Sequence, residues 1–97
     1  MDFYDLDLHD NVLDALDAMN FTTCTPIQEH TIPPLLEGRD LIGVAQTGTG
    51  KTAAYGLPVL QKIDTSRNEV QAVIMAPTRE LCLQITDDLK DYSKYIQ

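Results

Sequence analysis

The sequence at residues 45–52 is Ala-Gln-Thr-Gly-Thr-Gly-Lys-Thr. A short, largely apolar run at 40–45 leads into this stretch, and a helix is predicted from Lys51 to about Ile63. Short apolar runs bounded by turn residues are typical of strands that are buried in parallel sheets. The order of strand, glycine-rich turn and helix therefore predicts one βα unit, the building block of an α/β fold.

A second βα unit is predicted further along the chain. Residues 70–75 form another largely apolar run, which ends at Pro77. Thr78 has the hydroxyl side chain of an N-cap, and a last helix is predicted from about Arg79 to Tyr95. Because strands and helices alternate, we predict a parallel sheet flanked by helices.

A first amphipathic helix is predicted over about residues 11–19, before either strand. Asp10 is placed to serve as its N-cap. Asn20 follows the helix and tolerates the left-handed conformation that ends many helices. These signals predict a short helix at the start of the chain.

A second helix is predicted to begin at Thr25-Pro26-Ile27-Gln28. Thr25 is a suitable N-cap, proline suits the first helical position, and Gln28 completes a capping box. Pro33 and Pro34 should interrupt this helix, and a further turn should end at Gly38. The predicted order of elements is thus α, α, β, α, β, α.

The glycine-rich stretch matches the phosphate-loop pattern G-x-x-x-x-G-K-[ST] at every position except the first, where Ala45 stands. Gly48 and Gly50 allow successive N–H groups to point at phosphate oxygens, and the following helix adds its positive N-terminal end. Lys51 is expected at the β- and γ-phosphates, and the Thr52 hydroxyl at Mg²⁺. The pattern therefore predicts a nucleoside triphosphate site.

The charge of the chain limits how it could bind a polyanion. The formal net charge is −8 over 97 residues, and six of the 15 acidic residues but no lysine or arginine lie in residues 1–20. A protein that coats nucleic acid indiscriminately is usually basic, so that class is excluded. A confined phosphate site in the rest of the chain is not excluded.

The composition also bears on the cellular setting. The first residues have neither the basic region nor the apolar run of a signal peptide, and no apolar run approaches the roughly 20 residues of a membrane span. Cys24 and Cys82 are too few for a disulfide framework. We expect a cytoplasmic protein without a membrane partner.

Three motifs together resemble the start of a DEAD-box ATP-dependent RNA helicase. The Q motif of that family corresponds to residues 21–28, with an upstream aromatic at Phe3; motif I, or Walker A, corresponds to 45–52, and motif Ia to 77–81. The family favours alanine at the first position of motif I, as at Ala45. The resemblance implies that residues 1–97 are the N-terminal part of the first helicase domain, a partial RecA-like P-loop NTPase fold that is incomplete in this chain. The implied function is ATP binding and the unwinding or remodelling of RNA.

The resemblance also implies roles for individual residues. Gln28 would bind the adenine edge, Phe21 would stack on the base, and Thr25 would orient Gln28. Lys51 and Thr52 would be the catalytic residues of motif I, with Thr52 contacting Mg²⁺ through the nucleotide. The implied ATP-binding set is Phe21, Thr25, Gln28, Gln46, Thr47, Gly48, Thr49, Gly50, Lys51 and Thr52. The implied RNA-binding set is Pro77, Thr78, Arg79 and Glu80.

Simpler interpretations stay open for several of these residues. On the tetrapeptide alone, Gln28 is better explained by the capping box than by adenine binding. The resemblance to the helicase family reverses this preference, and both roles can coexist. Glu80 suits the first turn of a helix because of the helix dipole, and Arg79 suits any solvated surface. Other functions also stay open: a truncated, non-catalytic nucleotide- or RNA-binding module, or another P-loop NTPase such as a DNA helicase or a small kinase.

Hydrolysis requires an acidic motif that this sequence does not contain. No Asp-Glu-Ala-Asp occurs in the 97 residues, and neither does the Ser-Ala-Thr motif of the family. We therefore expect a fragment of a larger enzyme, inactive by itself. Its two strands would lack neighbours, so we also expect self-association through unpaired sheet edges.

Overall fold

The computed structural model describes residues 1–46 and 50–96. The regular secondary structure of these residues consists of four α-helices and one short 3-10 helix. In chain order they are the 3-10 helix Phe3–Asp5, α1 Asp10–Ala18, α2 Pro26–Leu36, α3 Lys51–Lys62 and α4 Arg79–Tyr92. No helix among these residues is long and apolar enough to cross a membrane.

Helix α1 begins one residue earlier than predicted. His9, not Asp10, is the N-cap, and the N–H groups of Val12 and Leu13 donate to its carbonyl at 3.1 and 3.0 Å. The cause is tertiary, because the Gln61 side chain of α3 accepts from the His9 N–H at 2.7 Å and donates to the Asp7 carbonyl at 2.6 Å. This bidentate contact fixes where the helix can start.

The prediction that Pro33 and Pro34 interrupt α2 is wrong. Pro33 and Pro34 lie inside a continuous helix. Each lacks an N–H and so removes one internal hydrogen bond, but the fully buried Ile32 anchors the same turn in the core. The helix ends as predicted, because Gly38 takes a φ of +85° and its N–H donates to the Leu35 carbonyl at 3.1 Å.

Helix α3 lies between α2 and α4 and packs against both. Its Ala53 and Leu57 are fully buried, in a core that includes Leu16 and Ile32. Helix α4 approaches closely at Gly56, where a Cβ atom would lie 2.8 Å from Leu89 Cδ2. The position of α3 is therefore fixed from two sides.

Helix α4 confirms its predicted N-cap and is shorter than predicted. The Thr78 hydroxyl accepts from the Leu81 N–H at 3.1 Å. The helix ends at Tyr92, and residues 93–95 form a turn in which the Ser93 N–H donates to the Leu89 carbonyl at 3.0 Å. Tyr95 therefore lies beyond the helix.

The two predicted strand segments are exposed, so the prediction that they are buried is wrong for this chain. Residues 1–46 and 50–96 contain no strand, only an isolated antiparallel bridge between Asp2 and Thr23. Ile42 is 94% exposed and Met75 is 89% exposed. A strand is buried only when neighbouring strands and helices cover it, and the described residues supply no neighbouring strand. The parallel sheet itself stays a prediction.

Tyr92 gives the helical core a testable pH dependence. Burial, together with the nearby Asp88 and Asp91, raises the pKa of its hydroxyl from 10.0 to about 12. The folded state favours the neutral phenol, so this stabilisation is complete below pH 10 and is lost as the pH rises through about 12. As the pH rises from 10 to 12, the free energy of unfolding should fall less for Tyr92→Phe than for the wild type. The difference between the two losses should be on the order of 1–2 kcal/mol. Urea unfolding followed by circular dichroism measures it.

Tyr95→Phe is the matched control for this change, because the Tyr95 ring is 44% exposed. The difference between the Tyr92→Phe and Tyr95→Phe profiles isolates the effect of burying the hydroxyl. Identical profiles for Tyr92→Phe and the wild type would contradict the assignment.

Candidate functional site

Gln28 joins the beginnings of two helices. Its side chain is 3% exposed. The amide oxygen accepts from the Thr25 N–H at 2.9 Å, and Nε2 donates to the Gly50 carbonyl at 3.2 Å. Because Thr25 caps α2 and Gly50 caps α3, one amide group connects the predicted Q motif to the predicted phosphate loop.

Only glycine fits at position 50. Its φ is +83°, in the left-handed region that disfavours other residues. A Cβ atom there would lie 2.3 Å from Gln28 Nε2 and 3.2 Å from Thr25 Oγ1. The close approach of the Gln28 amide to the backbone of the loop therefore depends on the missing side chain.

Helix α3 presents its N-terminus without a competing carboxylate. Lys51 and Thr52 are its first two residues, and its first turn contains no acidic side chain. Lys51 is exposed and Thr52 half-buried. The unpaired N–H groups of a helix N-terminus and a lysine together favour an anion. This end of α3 therefore fits a phosphate group.

The Thr25 hydroxyl is a buried polar atom without a hydrogen-bond partner in the described part of the chain. It faces the Gln28 backbone in the capping-box arrangement, but no hydrogen bond of good geometry forms there. Buried polar groups nearly always have a partner, so an unpartnered one requires an explanation. The Gln28 backbone N–H of the capping box is the donor that the fold offers to this hydroxyl.

Of the four predicted ATP-binding residues at 46–49, the structure describes one. Thr47, Gly48 and Thr49 lie outside the described residues, so their roles stay predictions. Gln46 is described and exposed.

Phe21 lies beside Tyr92, an aromatic residue of α4 that the sequence analysis did not assign to the site. The Phe21 ring is 40% exposed. Its centroid lies 6.5 Å from that of Tyr92, with the ring planes tilted by 52°. In the sequence, the only signal for Tyr92 was its place on the apolar stripe of α4, which does not indicate a neighbour 71 positions earlier.

The predicted RNA-binding residues lie together at the N-terminus of α4. Pro77, Thr78, Arg79 and Glu80 are all exposed. The Thr78 hydroxyl is used by the helix cap, and Arg79 places a positive charge at the helix N-terminus. Glu80 places a carboxylate in the same turn and offsets part of that charge.

One cavity connects the two helix N-termini. Its volume is about 480 Å³. Its lining includes Lys51 and Thr52 of α3, together with Met75, Pro77 and Leu81. The structure therefore brings the predicted triphosphate residues and the first of the predicted RNA residues to the same opening.

The structure offers no protein-only metal centre among residues 1–46 and 50–96. No three histidine, cysteine, aspartate or glutamate side chains there are grouped to hold a metal ion. A magnesium ion could be held here by the Thr52 hydroxyl together with phosphate oxygens of a nucleotide, a mixed coordination that Mg²⁺ commonly adopts.

Comparisons with known proteins agree on one family. Residues 25–97 match the family model for DEAD/DEAH box helicases. The chain is 50% identical over 93 residues to the DEAD-box ATP-dependent RNA helicase CshA of Bacillus cereus, covering 96% of this chain and 18% of that protein. It is 52% identical over 97 residues to the ATP-dependent RNA helicase CshA of Listeria monocytogenes, covering 98% and 19%.

Solved structures show the same likeness in three dimensions. A structure of S. cerevisiae Dbp5 bound to RNA and ADP BeF3 matches with a TM-score of 0.93 and 35% identity, covering 97% of this chain and 25% of that one. A DEAD box protein from Methanococcus jannaschii matches with a TM-score of 0.89 and 35% identity, covering 95% and 25%. The chain thus corresponds to a partial RecA-like domain and spans less than a fifth of the length of its CshA relatives.

Gly38 and Gly50, the left-handed glycines of the described residues, provide a matched test of the loop geometry. Gly38 has a φ of +85°, but the nearest atom to an added Cβ is Lys62 Nζ at 4.0 Å. Gly38→Ala should therefore lower the free energy of unfolding only by the left-handed penalty, about 1–2 kcal/mol. Gly50→Ala has the same penalty and also a clash with Gln28, so its loss should be clearly larger. Equal losses in urea unfolding would contradict the close contact at Gly50.

Proposed function

This chain belongs to the DEAD/DEAH box helicase family, and we propose that its residues form the adenosine triphosphate site of an ATP-dependent RNA helicase. The observation that supports this best is the Gln28 amide bound to the Gly50 carbonyl at 3.2 Å. This hydrogen bond joins the amide that we assign to the base to the acid-free N-terminus of α3, which we assign to the phosphates. Residues 1–97 then correspond to the N-terminal part of the first helicase domain.

The hydrogen-bonding capacity of Gln28 supports a role in adenine recognition. A glutamine amide has two N–H donors and two oxygen lone pairs. One donor is used by the Gly50 carbonyl and one lone pair by the Thr25 N–H. One donor and one acceptor are left, and adenine offers an acceptor at N7 and a donor at N6. The amide can therefore maintain the fold and bind the base at the same time.

The phosphate end of the nucleotide is assigned to α3. Its N-terminal N–H groups and the Lys51 ammonium would hold the β- and γ-phosphates, and the Thr52 hydroxyl would help to hold the Mg²⁺ that accompanies the nucleotide. When bound, Mg²⁺ supplies positive charge that stabilises phosphate displacement by water. The acidic group that positions this water is not among the 97 residues, which contain no Asp-Glu-Ala-Asp. We expect these residues alone to bind ATP without sustained hydrolysis.

RNA is assigned to the N-terminus of α4. Helix N-termini bind backbone phosphates, and Arg79 adds a charge-assisted contact. Phosphate contacts do not distinguish RNA from DNA, so the choice of RNA rests on the family and on the relatives named as RNA helicases. We also propose a cytoplasmic location, with which the two free cysteines are consistent.

ATP binding by the purified chain tests the proposed site. Lys51→Ala should weaken ATP binding at least about tenfold, because it removes the charge on the terminal phosphates. Gln28→Ala should reduce the preference for ATP over GTP, because it removes the group that binds the adenine edge. Isothermal titration with each nucleotide in the presence of Mg²⁺ measures both effects.

Gln61→Ala is the matched control for the glutamine variant. Gln61 also bonds backbone groups of another segment, at His9 and Asp7, but it lies near the opposite end of α3. It should retain the nucleotide preference of the wild type. An unchanged preference in Gln28→Ala would exclude adenine recognition by this residue, and sustained RNA-stimulated hydrolysis by the chain would contradict its expected inactivity.

We also infer that the chain, when isolated, associates with a second copy through segments 40–46 and 70–76. Val44 and Val73 are largely exposed in them, and neither segment belongs to a strand. Val44→Lys and Val73→Lys should shift sedimentation toward the monomer, because a buried charge opposes strand pairing. Leu83→Lys, at an exposed position on α4, should not. A monomeric wild-type chain would contradict the inference.

A further inference from the structure

The Phe21 side chain is partly exposed, although its backbone is held in place. Its backbone is fixed, because the Phe21 N–H donates to the Leu16 carbonyl at 2.9 Å. Its ring is 40% exposed. An exposed phenylalanine can populate several rotamers, and fixing one of them during ligand binding lowers the affinity. A neighbour that restricts the ring beforehand would remove part of that loss.

Tyr92 is such a neighbour. The two ring centroids are 6.5 Å apart, within the range in which aromatic pairs attract each other. The tilt of 52° leaves more of the Phe21 ring uncovered than a parallel stack would. The contact can therefore orient the ring and still leave it accessible to a flat ligand.

Tyr92 is itself firmly held. It is the last residue of α4 and belongs to the buried core together with Leu16 and Leu57. Helix α4 packs against α1 and α3. The ring of Tyr92 is therefore a fixed element against which the more exposed Phe21 can rest.

We propose that Tyr92 is a positioning residue that holds the Phe21 ring in the orientation needed to stack on the adenine base. Tyr92 acts through Phe21 and does not contact the nucleotide itself. This inference rests on the proposed function, because it assumes that adenine binds at Phe21. The proposed role of Tyr92 also connects the proposed ATP and RNA sites, because α4 begins at the predicted RNA-binding residues and ends at Tyr92.

A single introduced tryptophan allows two assumptions to be tested separately: that adenine stacks on the side chain at position 21, and that Tyr92 orients this side chain. The chain contains no tryptophan, so Phe21→Trp places the only one at the stacking position. The fluorescence anisotropy of the introduced tryptophan reports how firmly its side chain is held. The quenching of its emission by ATP reports whether adenine stacks on it.

Second substitutions in this variant test the role of Tyr92. Tyr92→Leu should lower the anisotropy and weaken ATP binding about three- to tenfold, the range expected for losing one aromatic pair. Tyr92→Phe retains the ring and should change both by less than about twofold. Tyr92→Met, a second non-aromatic side chain, should behave like leucine and serves if the leucine variant does not fold.

Two controls separate orientation of the ring from general loosening of the fold. Leu89→Ala removes packing at the contact of α3 with α4 and should lower the thermal stability without changing the anisotropy. Tyr95→Leu alters the other tyrosine near the end of α4 and should change neither signal.

Each assumption has its own contradicting outcome. Unchanged anisotropy and ATP binding in the Tyr92→Leu and Tyr92→Met variants would overturn the proposed role of Tyr92 and leave the ATP site intact. Equal losses in Tyr92→Phe and Tyr92→Leu would overturn it as well, because the aromatic ring would not be the cause. Absence of ATP quenching in Phe21→Trp would instead overturn adenine stacking, and with it the function of the Tyr92 contact.

Discussion

The hydrogen bond from Gln28 Nε2 to the Gly50 carbonyl is the constraint on which the site depends. It connects residues 22 positions apart, at the beginnings of α2 and α3. The carbonyl that accepts it also accepts the Ala54 N–H at 3.2 Å, the first bond of α3. Displacing Gln28 would therefore disturb the start of the helix as well as the loop before it.

The helices maintain this arrangement although the described residues form no sheet. Helix α3 is held between α2 and α4, and Lys62 at its other end donates to the Leu35 carbonyl of α2 at 2.6 Å. The TM-score of 0.93 to Dbp5 shows that the chain retains the arrangement of a larger domain. Among the described residues, packing of helix faces positions the helix N-termini, while segments 40–46 and 70–76 stay largely exposed.

The C-terminal ends of α1 and α2 were predicted correctly from the sequence, because they depend on local residue chemistry. The burial of segments 40–46 and 70–76 was not, because it depends on distant neighbours. Asn20 takes a φ of +61° and Gly38 one of +85°, because these residues tolerate that conformation wherever they stand. The start of α1 at His9 and the continuity of α2 through Pro33 depend on contacts with distant residues. The same dependence on distant residues limits what the sequence predicts of the site. The tetrapeptide at 25–28 indicates a helix cap, but the hydrogen bond from Gln28 Nε2 to the Gly50 carbonyl depends on the tertiary structure.

The distribution of charge reconciles an acidic chain with the two proposed anion sites. The net charge of −8 is concentrated near the start of the chain, and charges further apart than about 8 Å are largely screened at physiological ionic strength. What a phosphate encounters is therefore the local field. At α3 that field comes from Lys51 and a first turn without acids, whereas at α4 Arg79 is opposed by Glu80. Charge alone thus favours the α3 site as the stronger anion site, and the α4 site would depend more on shape and backbone N–H groups.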